Sequence, residues 1–328
     1  MRDAFIKLHL SVLLAGCTGL LGKLIQLNET EIVWFRMLLA SIMLLCIFGL
    51  PRPVSHKQFW GAAVSGAVLA THWMLFYSSI KVSNVCIGVL CFSLTSVWTA
   101  ILEPVIGRRR FSVPELLLSL ITVAGIASIY YLSPESDPQA ADGVDAQRGV
   151  LIGIVSSFFC AVYVILSKHF SQDMRPRFFL QCSLSGGLVL ATLIIPFYLM
   201  AFGLPISAAL VMPTWVDFGW MLFHASLCTV GMYMLQLMAL KQLSAFTVNL
   251  TYNLEPVYSI IFAFLFFGEG SQLGLGFYVG LTLIILSVVL QSFLVSGVRR
   301  KHVMRMPHAW HYHKHKRKKA EAEATNKA

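Results

Sequence analysis

The chain has 328 residues, of which 57% are hydrophobic and only 12% are charged, and its formal net charge is +10. A soluble protein of this length needs a polar surface that so few charged residues cannot supply. Ten of the 25 lysines and arginines follow Val298, so the net charge describes a basic tail and not the body of the chain. The composition therefore excludes a soluble globular protein and does not favour nucleic-acid binding.

The apolar residues come in blocks of about twenty, the length with which a helix spans a bilayer core of roughly 30 Å. Only helices satisfy their backbone in lipid one segment at a time, so the blocks predict an all-α polytopic membrane protein. The ten predicted transmembrane helices cover residues 8–26, 31–50, 58–79, 85–106, 113–132, 149–169, 178–202, 217–240, 246–267 and 274–296.

Basic residues between the spans indicate the orientation, because lysine and arginine favour the cytoplasmic side. With both termini inside, eleven basic residues ahead of the tail lie in inner segments and three, Lys23, Lys81 and Arg148, lie in outer ones. This asymmetry predicts a multi-pass protein of the cell (cytoplasmic) membrane with cytoplasmic N and C termini. The basic tail is expected to contact anionic lipid headgroups and to be dispensable for activity.

Two segments of the chain resemble each other at an offset of 160 residues. "IKVSNVCIGVLCFSLTSVWTAIL" from Ile80 aligns with "LKQLSAFTVNLTYNLEPVYSIIF" from Leu240, and Trp73 then aligns with Tyr233. Five spans per half is an odd number, so the halves are expected to be inverted repeats, which are typical of secondary transporters. The predicted parts are a first repeat at 1–132, an outer linker at 133–148, a second repeat at 149–298 and a His-rich cytoplasmic tail at 299–328.

Glu255 is the ionisable residue that the pattern favours most for a function. It lies near the middle of the ninth span, on the same polar helix face as Asn249 and Tyr252. A charged group at that depth is costly, and it commonly marks a substrate or proton pathway. Pro256 is expected to free the Tyr252 carbonyl within a continuous helix. A protonated glutamate bonded to a neighbouring helix is the alternative interpretation.

Polar and aromatic residues of three other spans are candidates for the same pathway, because a few polar groups among aromatic rings suit a small amphipathic solute. A histidine in such a span is also compatible with simple packing. The candidates beside Glu255, Tyr252 and Asn249 are His72, Trp73, Thr95, Trp98 and Tyr233.

For two further charged residues, Glu103 and Arg36, the sequence favours a structural role. Glu103 precedes Arg108, Arg109 and Arg110, with which it is expected to pair near the inner surface. Arg36 is expected to reach the outer membrane surface, with pairing to an acid or attraction of an anion as alternatives. In the tenth span a GxxxG step allows close helix packing and leaves a homodimer open.

The sequence predicts free cysteines, no metal site and no cofactor. All seven cysteines fall in predicted spans, and none forms a CxxC pair. Loose metal binding by the histidines of the tail is the remaining alternative.

Three motifs resemble the EamA-type members of the drug/metabolite transporter superfamily: "FRMLLA" from Phe35, "SLTSVWTAILEP" from Ser93 and "LEPVYSIIFAFLFFGE" from Leu254. The resemblance covers about residues 8–296. It implies ten helices in two inverted repeats, alternating access, and export of small metabolites such as amino acids, with proton coupling often presumed. The family pattern also carries over to Glu255, Pro256 and Glu269.

Two functions of other kinds stay open at this point. An intramembrane enzyme has little support, because no GxGD or HExxH pattern and no nucleophile–base pair is present. A flippase of lipids or lipid-linked sugars would share the predicted fold. A transporter is the leading interpretation, with a small-molecule substrate, protons and membrane lipids as partners.

Overall fold

The computed structural model describes residues 2–50, 55–83, 85–106, 112–132, 146–201, 203, 205, 212–267 and 275–304. Every regular element in these ranges is helical. The helices are α1 (Arg2–Leu24), α2 (Glu29–Phe48), α3 (His56–Val82), α4 (Val85–Phe92), α5 (Thr95–Ile106), α6 (Val113–Leu132), α7 (Ala146–Phe170), α8 (Pro176–Ala201), α9 (Trp215–Ala225), α10 (Met232–Leu240), α11 (Ala245–Tyr252), α12 (Glu255–Phe267) and α13 (Leu275–Met304), with a π-helical turn, Ser226–Gly231, joining α9 to α10.

Five stretches among the described residues are long and apolar enough to cross a membrane. They are Glu29–Phe48, His56–Val82, Arg148–Phe170, Pro176–Ala201 and Trp215–Leu240. Shorter apolar helices cover Thr95–Ile106, Val113–Gly125 and Tyr278–Leu290. The all-helical, membrane-spanning architecture predicted from the sequence is therefore present.

Polar caps mark where several of these helices begin. Asn28 accepts the backbone N–H of Glu31, whose carboxylate in turn accepts the Asn28 N–H, and this capping box starts α2. Ser55 and Gln58 form the same box at the start of α3. Each cap satisfies N–H groups that the first turn of a helix leaves unpaired, so it fixes the helix start within an apolar chain.

The fourth and ninth predicted spans are each broken in the middle, where the sequence predicts one continuous helix. Turns at residues 93–94 and 253–254 separate α4 from α5 and α11 from α12. Pro256 is consequently the second residue of α12 and does not kink a long helix. A helix needs no N–H donor in its first turn, so proline is tolerated there.

Small residues allow α3 to cross α8 in close contact. A Cβ atom on Gly66 would lie 1.7 Å from the Ser183 carbonyl oxygen, and one on Gly186 would lie 2.6 Å from the Cα of Ala63. The two backbones therefore touch at this crossing, as is common where helices pack within a membrane. α3 also packs along α7, while α1 packs against α10 and α12, and α2 packs against α8 and α9.

Two lysines tie helix ends to neighbouring loops. Lys81, at the end of α3, donates to the Leu27 carbonyl oxygen at 2.5 Å and lies 3.7 Å from the Glu29 carboxylate. Lys241, which follows α10, donates to the Met174 carbonyl oxygen at 2.7 Å. Each lysine thus closes the loop between a pair of helices earlier in the chain, α1–α2 in one case and α7–α8 in the other.

The GxxxG glycine Gly280 packs inside the chain. A Cβ on Gly125 of α6 would lie 3.0 Å from the Gly280 carbonyl oxygen, and the Thr122 and Ser287 hydroxyls are 2.8 Å apart across the same contact. The close approach predicted for this position is therefore one between α6 and α13. The last part of α13, from Val288 to Met304, belongs to a second unit of the chain.

Candidate functional site

A cavity of about 40 Å³ lies among helices from both halves of the chain. The residues around it are nearly all aromatic, polar or charged. They are Ala15, Thr18, Arg36, His72, Trp73, Phe76, Tyr77, Phe92, Cys160, Tyr163, Val164, Met232, Tyr233, Gln236, Asn249, Tyr252 and Glu255. Six of the eight candidates named from the sequence, all except Thr95 and Trp98, are in this set.

Glu255 enters the cavity from the break between α11 and α12. It is the first residue of α12 and only 6% exposed, and the Thr18 hydroxyl lies 3.5 Å from its Oε1. A carboxylate is stabilised at a helix N-terminus by the dipole and by the unpaired N–H groups of the first turn. The break in the helix therefore provides a polar setting for an acid that a continuous transmembrane helix would not.

Tyr252 and Asn249, one and two turns before Glu255, connect the cavity to neighbouring helices. The Tyr252 hydroxyl makes a short hydrogen bond to the Ser11 hydroxyl. The Asn249 amide donates to the Thr99 hydroxyl at 2.6 Å, which joins α11 to α5. Both side chains are buried, so these bonds hold the polar face of α11 toward the interior of the bundle.

Arg36 is buried in the cavity wall, which corrects the expectation that it reaches the membrane surface. It is 2% exposed, and the central carbon of its guanidinium group lies over the Trp73 ring, 3.7 Å from the centroid. Its Nε–H donates to the Thr229 hydroxyl at 2.6 Å, and a terminal N–H donates to the Cys228 carbonyl oxygen at 2.9 Å. The pairing with Glu29 or Glu31 that the sequence also allowed is replaced by these contacts.

The π-helical turn makes the Cys228 carbonyl available to Arg36. In an α-helix this carbonyl would accept the N–H of Met232, but that N–H points instead to the carbonyls of Leu227 and Thr229. Because the wider turn leaves a carbonyl without its usual partner, a side chain from α2 can occupy the position. Single π-helical turns within α-helices are frequent at functional sites.

Aromatic rings form the centre of the cavity wall. The indole N–H of Trp73 donates to the Tyr233 hydroxyl at 3.2 Å, and the two rings meet edge to face with centroids 5.7 Å apart. Tyr163 meets the same Tyr233 ring at 5.7 Å. The edge-to-face geometry is a favourable one for aromatic pairs, so the three rings make a rigid platform that joins α3, α7 and α10.

His72 is oriented by a partner on α7. Its Nδ1 lies 3.0 Å from the Ser156 carbonyl oxygen, and the Ser156 hydroxyl donates back to the His72 carbonyl at 2.9 Å. A carbonyl can only accept, so Nδ1 carries the proton and Nε2 is the unprotonated ring nitrogen. His72 is 4% exposed and contributes to the cavity wall beside Phe76 and Phe92.

Thr95 and Trp98 lie outside the cavity lining. Trp98 donates its indole N–H to the Ser157 hydroxyl at 3.2 Å and packs edge to face on Phe158. Thr95 is buried at the start of α5, where its carbonyl oxygen accepts the Thr99 hydroxyl at 2.7 Å. Both residues contribute to the packing of α5 in this conformation.

Glu103 has a structural role that its neighbouring sequence does not indicate. Its two carboxylate oxygens accept the backbone N–H groups of Ala245 and Phe246, at 3.1 and 3.0 Å. These N–H groups begin α11, so Glu103 caps a helix from the other half of the chain. The arginines at 108–110 that the sequence suggested as its partners lie outside the described residues.

Sequence reasoning missed Arg36 as a cavity residue because of its place along the span. Arg36 is close to the predicted outer end of the second span, where a long basic side chain usually reaches the membrane surface. That its donors meet a hydroxyl group and a carbonyl oxygen on a distant turn cannot be read from a linear sequence. Its position within the "FRMLLA" motif was the available signal that it differs from an ordinary basic residue at a helix end.

The fold is shared with a protein of known structure. A crystal structure of another protein superposes with a TM-score of 0.66, covering 89% of this chain and 98% of the other. The two sequences are only 14% identical, so the likeness concerns the fold alone.

A curated relative carries the name of a transporter. "Uncharacterized transporter sll1164" of Synechocystis sp. is 24% identical over 192 residues, which are 58% of this chain. The match spans 53% of the relative, about half of its length.

Residues 4–131 and 147–293 match the model of the EamA-like transporter family. The two stretches take in all the residues that line the cavity and most of the chain. They end near Phe293, ahead of the basic tail. The chain therefore belongs to the EamA-like transporter family and is a multi-pass membrane protein.

Proposed function

We propose that this chain is a secondary transporter that exports small metabolites such as amino acids across the cytoplasmic membrane, coupled to protons through Glu255. The observation that carries the proposal is the position of Glu255. It is a buried carboxyl group at a helix break, in a cavity that helices from both halves of the chain surround. An ionisable group in this setting is typical of a site where a proton and a substrate compete.

Two inverted repeats of five helices each form the proposed architecture, at 1–132 and 149–298. The breaks in the fourth and ninth spans support it, because α5 begins at Thr95 and α12 begins at Glu255, at the repeat offset of 160 residues. Lys81 and Lys241 are separated by the same offset, and each contacts a loop in its own half of the chain. The family model also matches two stretches of similar length, one in each half.

The proposed orientation places both termini in the cytoplasm. Its support is the excess of lysine and arginine in the segments that would then be internal. Glu103 and the start of α11 would lie toward the inner side, and the contact of Lys81 with the α1–α2 loop would lie toward the outer side. Of these two contacts, the one made by Glu103 joins the two halves, and the one made by Lys81 lies within the first half.

The small size of the cavity supports alternating access as the proposed mechanism. A volume of about 40 Å³ accommodates about three water molecules, far less than a metabolite requires. The described conformation is therefore contracted around the site, and loading would need some of the surrounding helices to separate. The breaks at residues 93–94 and 253–254 are natural hinges, because hinge motions use element ends and loops.

Proton coupling would arise from competition at Glu255. Removal from water favours the neutral form of a carboxyl group, whereas contact with water or with a substrate amine favours the ionised form. Opening to the outside would let Glu255 take up a proton as substrate leaves. Opening to the inside would let it release the proton and accept the next substrate.

Flux measurements in liposomes test the function. The purified full chain is reconstituted with the pH-sensitive dye pyranine inside, and a mixture of the twenty amino acids is added outside. We expect a saturable change of internal pH that liposomes without protein do not show. A chain that moves neither amino acids nor protons under any imposed pH gradient would contradict the proposed function.

A further inference from the structure

The buried charge of Arg36 shares its cavity with the carboxyl group of Glu255 but makes no salt bridge with it. Its side chain is 2% exposed, and among the described residues no carboxylate forms a salt bridge with it. An isolated charge taken out of water is costly unless another charge or several hydrogen bonds compensate it. Because burial of the guanidinium group costs free energy, the group is a candidate for binding an anion that enters and leaves during transport.

Several contacts hold the guanidinium group, and among the described residues part of its donor capacity is unused. Nε donates to Thr229, one terminal nitrogen to the Cys228 carbonyl, and the other to the Tyr77 hydroxyl at 3.3 Å. Trp73 covers one face. Of its five N–H donors, these contacts use three. Two remain, one on each terminal nitrogen, which suits the two oxygens of a carboxylate.

A second group in the cavity also lacks a partner. The Oε1 atom of Gln236 is buried and accepts no hydrogen bond from the part of the chain that the structure describes, and the side chain is only 4% exposed. Gln236 and Arg36 line the same cavity. A buried acceptor without a donor costs free energy, so a donor is expected to occupy the site at some stage. The ammonium group or an N–H of a substrate supplies such a donor.

We infer that Arg36 binds a carboxylate group of the substrate, so that the transporter selects solutes that carry a carboxylate over amines and neutral solutes. This inference rests on the proposed function, because it concerns the same cavity. The cavity then has a cationic residue for the carboxylate, and an anionic residue, Glu255, together with the free Gln236 acceptor for a donor group. Arg36 is a residue that contacts substrate and determines specificity.

Arg36 also has a structural role, since it joins α2 to the π-helical turn. Removing it is therefore expected to lower stability, and loss of activity alone would not distinguish the two roles. The decisive readout is discrimination between a carboxylate and its neutral analogue by protein that is folded. A purely structural arginine would leave that ratio unchanged.

The experiment measures the unfolding temperature of the purified full chain in separate titrations with each of the twenty amino acids and with the carboxamide of each. A ligand raises the apparent stability by mass action, so the titrations give a Kd for each compound. For the parent we expect at least one amino acid to bind at least tenfold more tightly than its carboxamide. In Arg36→Gln, acid and carboxamide should bind equally, at the weaker level.

Two further variants keep the test sharp. Arg175→Gln makes the same chemical change at an exposed residue outside the cavity, and it should keep the selectivity of the parent. Arg36→Lys keeps the charge and loses the planar pair of donors. It should bind the amino acid more weakly than the parent does and still prefer it to the carboxamide. This variant replaces Arg36→Gln in the test if Arg36→Gln does not fold.

Several results would overturn the inference. They are equal binding of acids and carboxamides by the parent, absence of binding by any amino acid, and undiminished selectivity in Arg36→Gln. Failure of this inference differs from failure of the proposed function. A protein in which amino acids and their carboxamides give the same saturable pH response in liposomes would keep the proposed function and still contradict the role of Arg36.

Discussion

Trp73 donates a hydrogen bond of 3.2 Å to the hydroxyl group of Tyr233. The two residues are 160 positions apart, which is the offset at which the two halves of the sequence align. In a pair of inverted repeats, a residue can touch its own repeat mate only near the axis that relates the halves. The proposed axis would thus pass close to this pair, in the wall of the cavity. Arg36 lies over one face of the Trp73 ring, so the pair also positions the cation.

A double-mutant cycle tests how strongly the pair joins the two halves. Trp73→Phe and Tyr233→Phe each keep an aromatic ring and remove one partner of the hydrogen bond. We expect each to lower the free energy of unfolding by about 0.5–1.5 kcal/mol and the double variant to cost clearly less than the sum. Trp215→Phe, at a position 90% exposed, is the control. Additive losses measured by denaturant titration would argue against a direct interaction.

Gly66→Ala should disrupt the crossing of α3 and α8. The new Cβ would lie 1.7 Å from the Ser183 carbonyl oxygen, so the helices would have to separate. A loss of about 3 kcal/mol or more is expected, seen as a lower unfolding temperature or poor recovery of folded protein. Gly219→Ala, where no atom lies within 4 Å, should be neutral or slightly stabilising. Similar behaviour of the two variants would show that the crossing is looser than described.

Glu103→Gln should affect stability more than coupling. Glutamine offers one oxygen acceptor to the two N–H groups at the start of α11 and loses the charge that suits a helix N-terminus. We expect a decrease of about 1–2 kcal/mol in the free energy of unfolding. The pH dependence of flux should match that of the parent. A changed pH dependence at normal stability would instead make Glu103 part of the proton pathway.

Cysteine labelling tests the orientation. On a background without the native cysteines, single cysteines are placed at Asp142 and at Ala320. A membrane-impermeant reagent added outside intact cells should label the first and not the second. Labelling of the tail alone would invert the topology, and labelling of both would require an even number of spans between the two positions.

Much of the fold could be predicted from the sequence because it depends on local hydropathy. The helices begin and end close to the predicted spans, since span length and polar caps are encoded within a few residues. The break at residues 253–254 was not predicted, because the polar residues around it were interpreted as one face of a continuous helix. Pro256 was the signal, and it marks the start of α12.

The site was harder to predict because it depends on contacts between distant parts of the chain. Glu255, Tyr252 and Asn249 could be identified from one helix face, and the alignment of Trp73 with Tyr233 named a pair that lies in contact. Arg36 could not be placed, since its partners on the π-helical turn are nearly two hundred residues away. Thr95 was named as the repeat mate of Glu255; it is buried at the start of α5 and is not among the residues that line the cavity.

The role of Glu255 as the proton site is the central claim. Glu255→Gln preserves the shape of the side chain and its ability to accept a hydrogen bond from Thr18, and it removes the charge. The variant should therefore fold and bind substrate. It should lose only the steps that need a proton to bind and leave.

The most direct measurement compares two kinds of flux in liposomes that contain the parent or Glu255→Gln. One is uphill movement of a radiolabelled amino acid, chosen for binding to the parent, driven by a pH gradient; the other is exchange of labelled for unlabelled amino acid at equal pH. The account predicts that Glu255→Gln loses uphill movement and retains exchange. Uphill movement by Glu255→Gln with the pH dependence of the parent would contradict it.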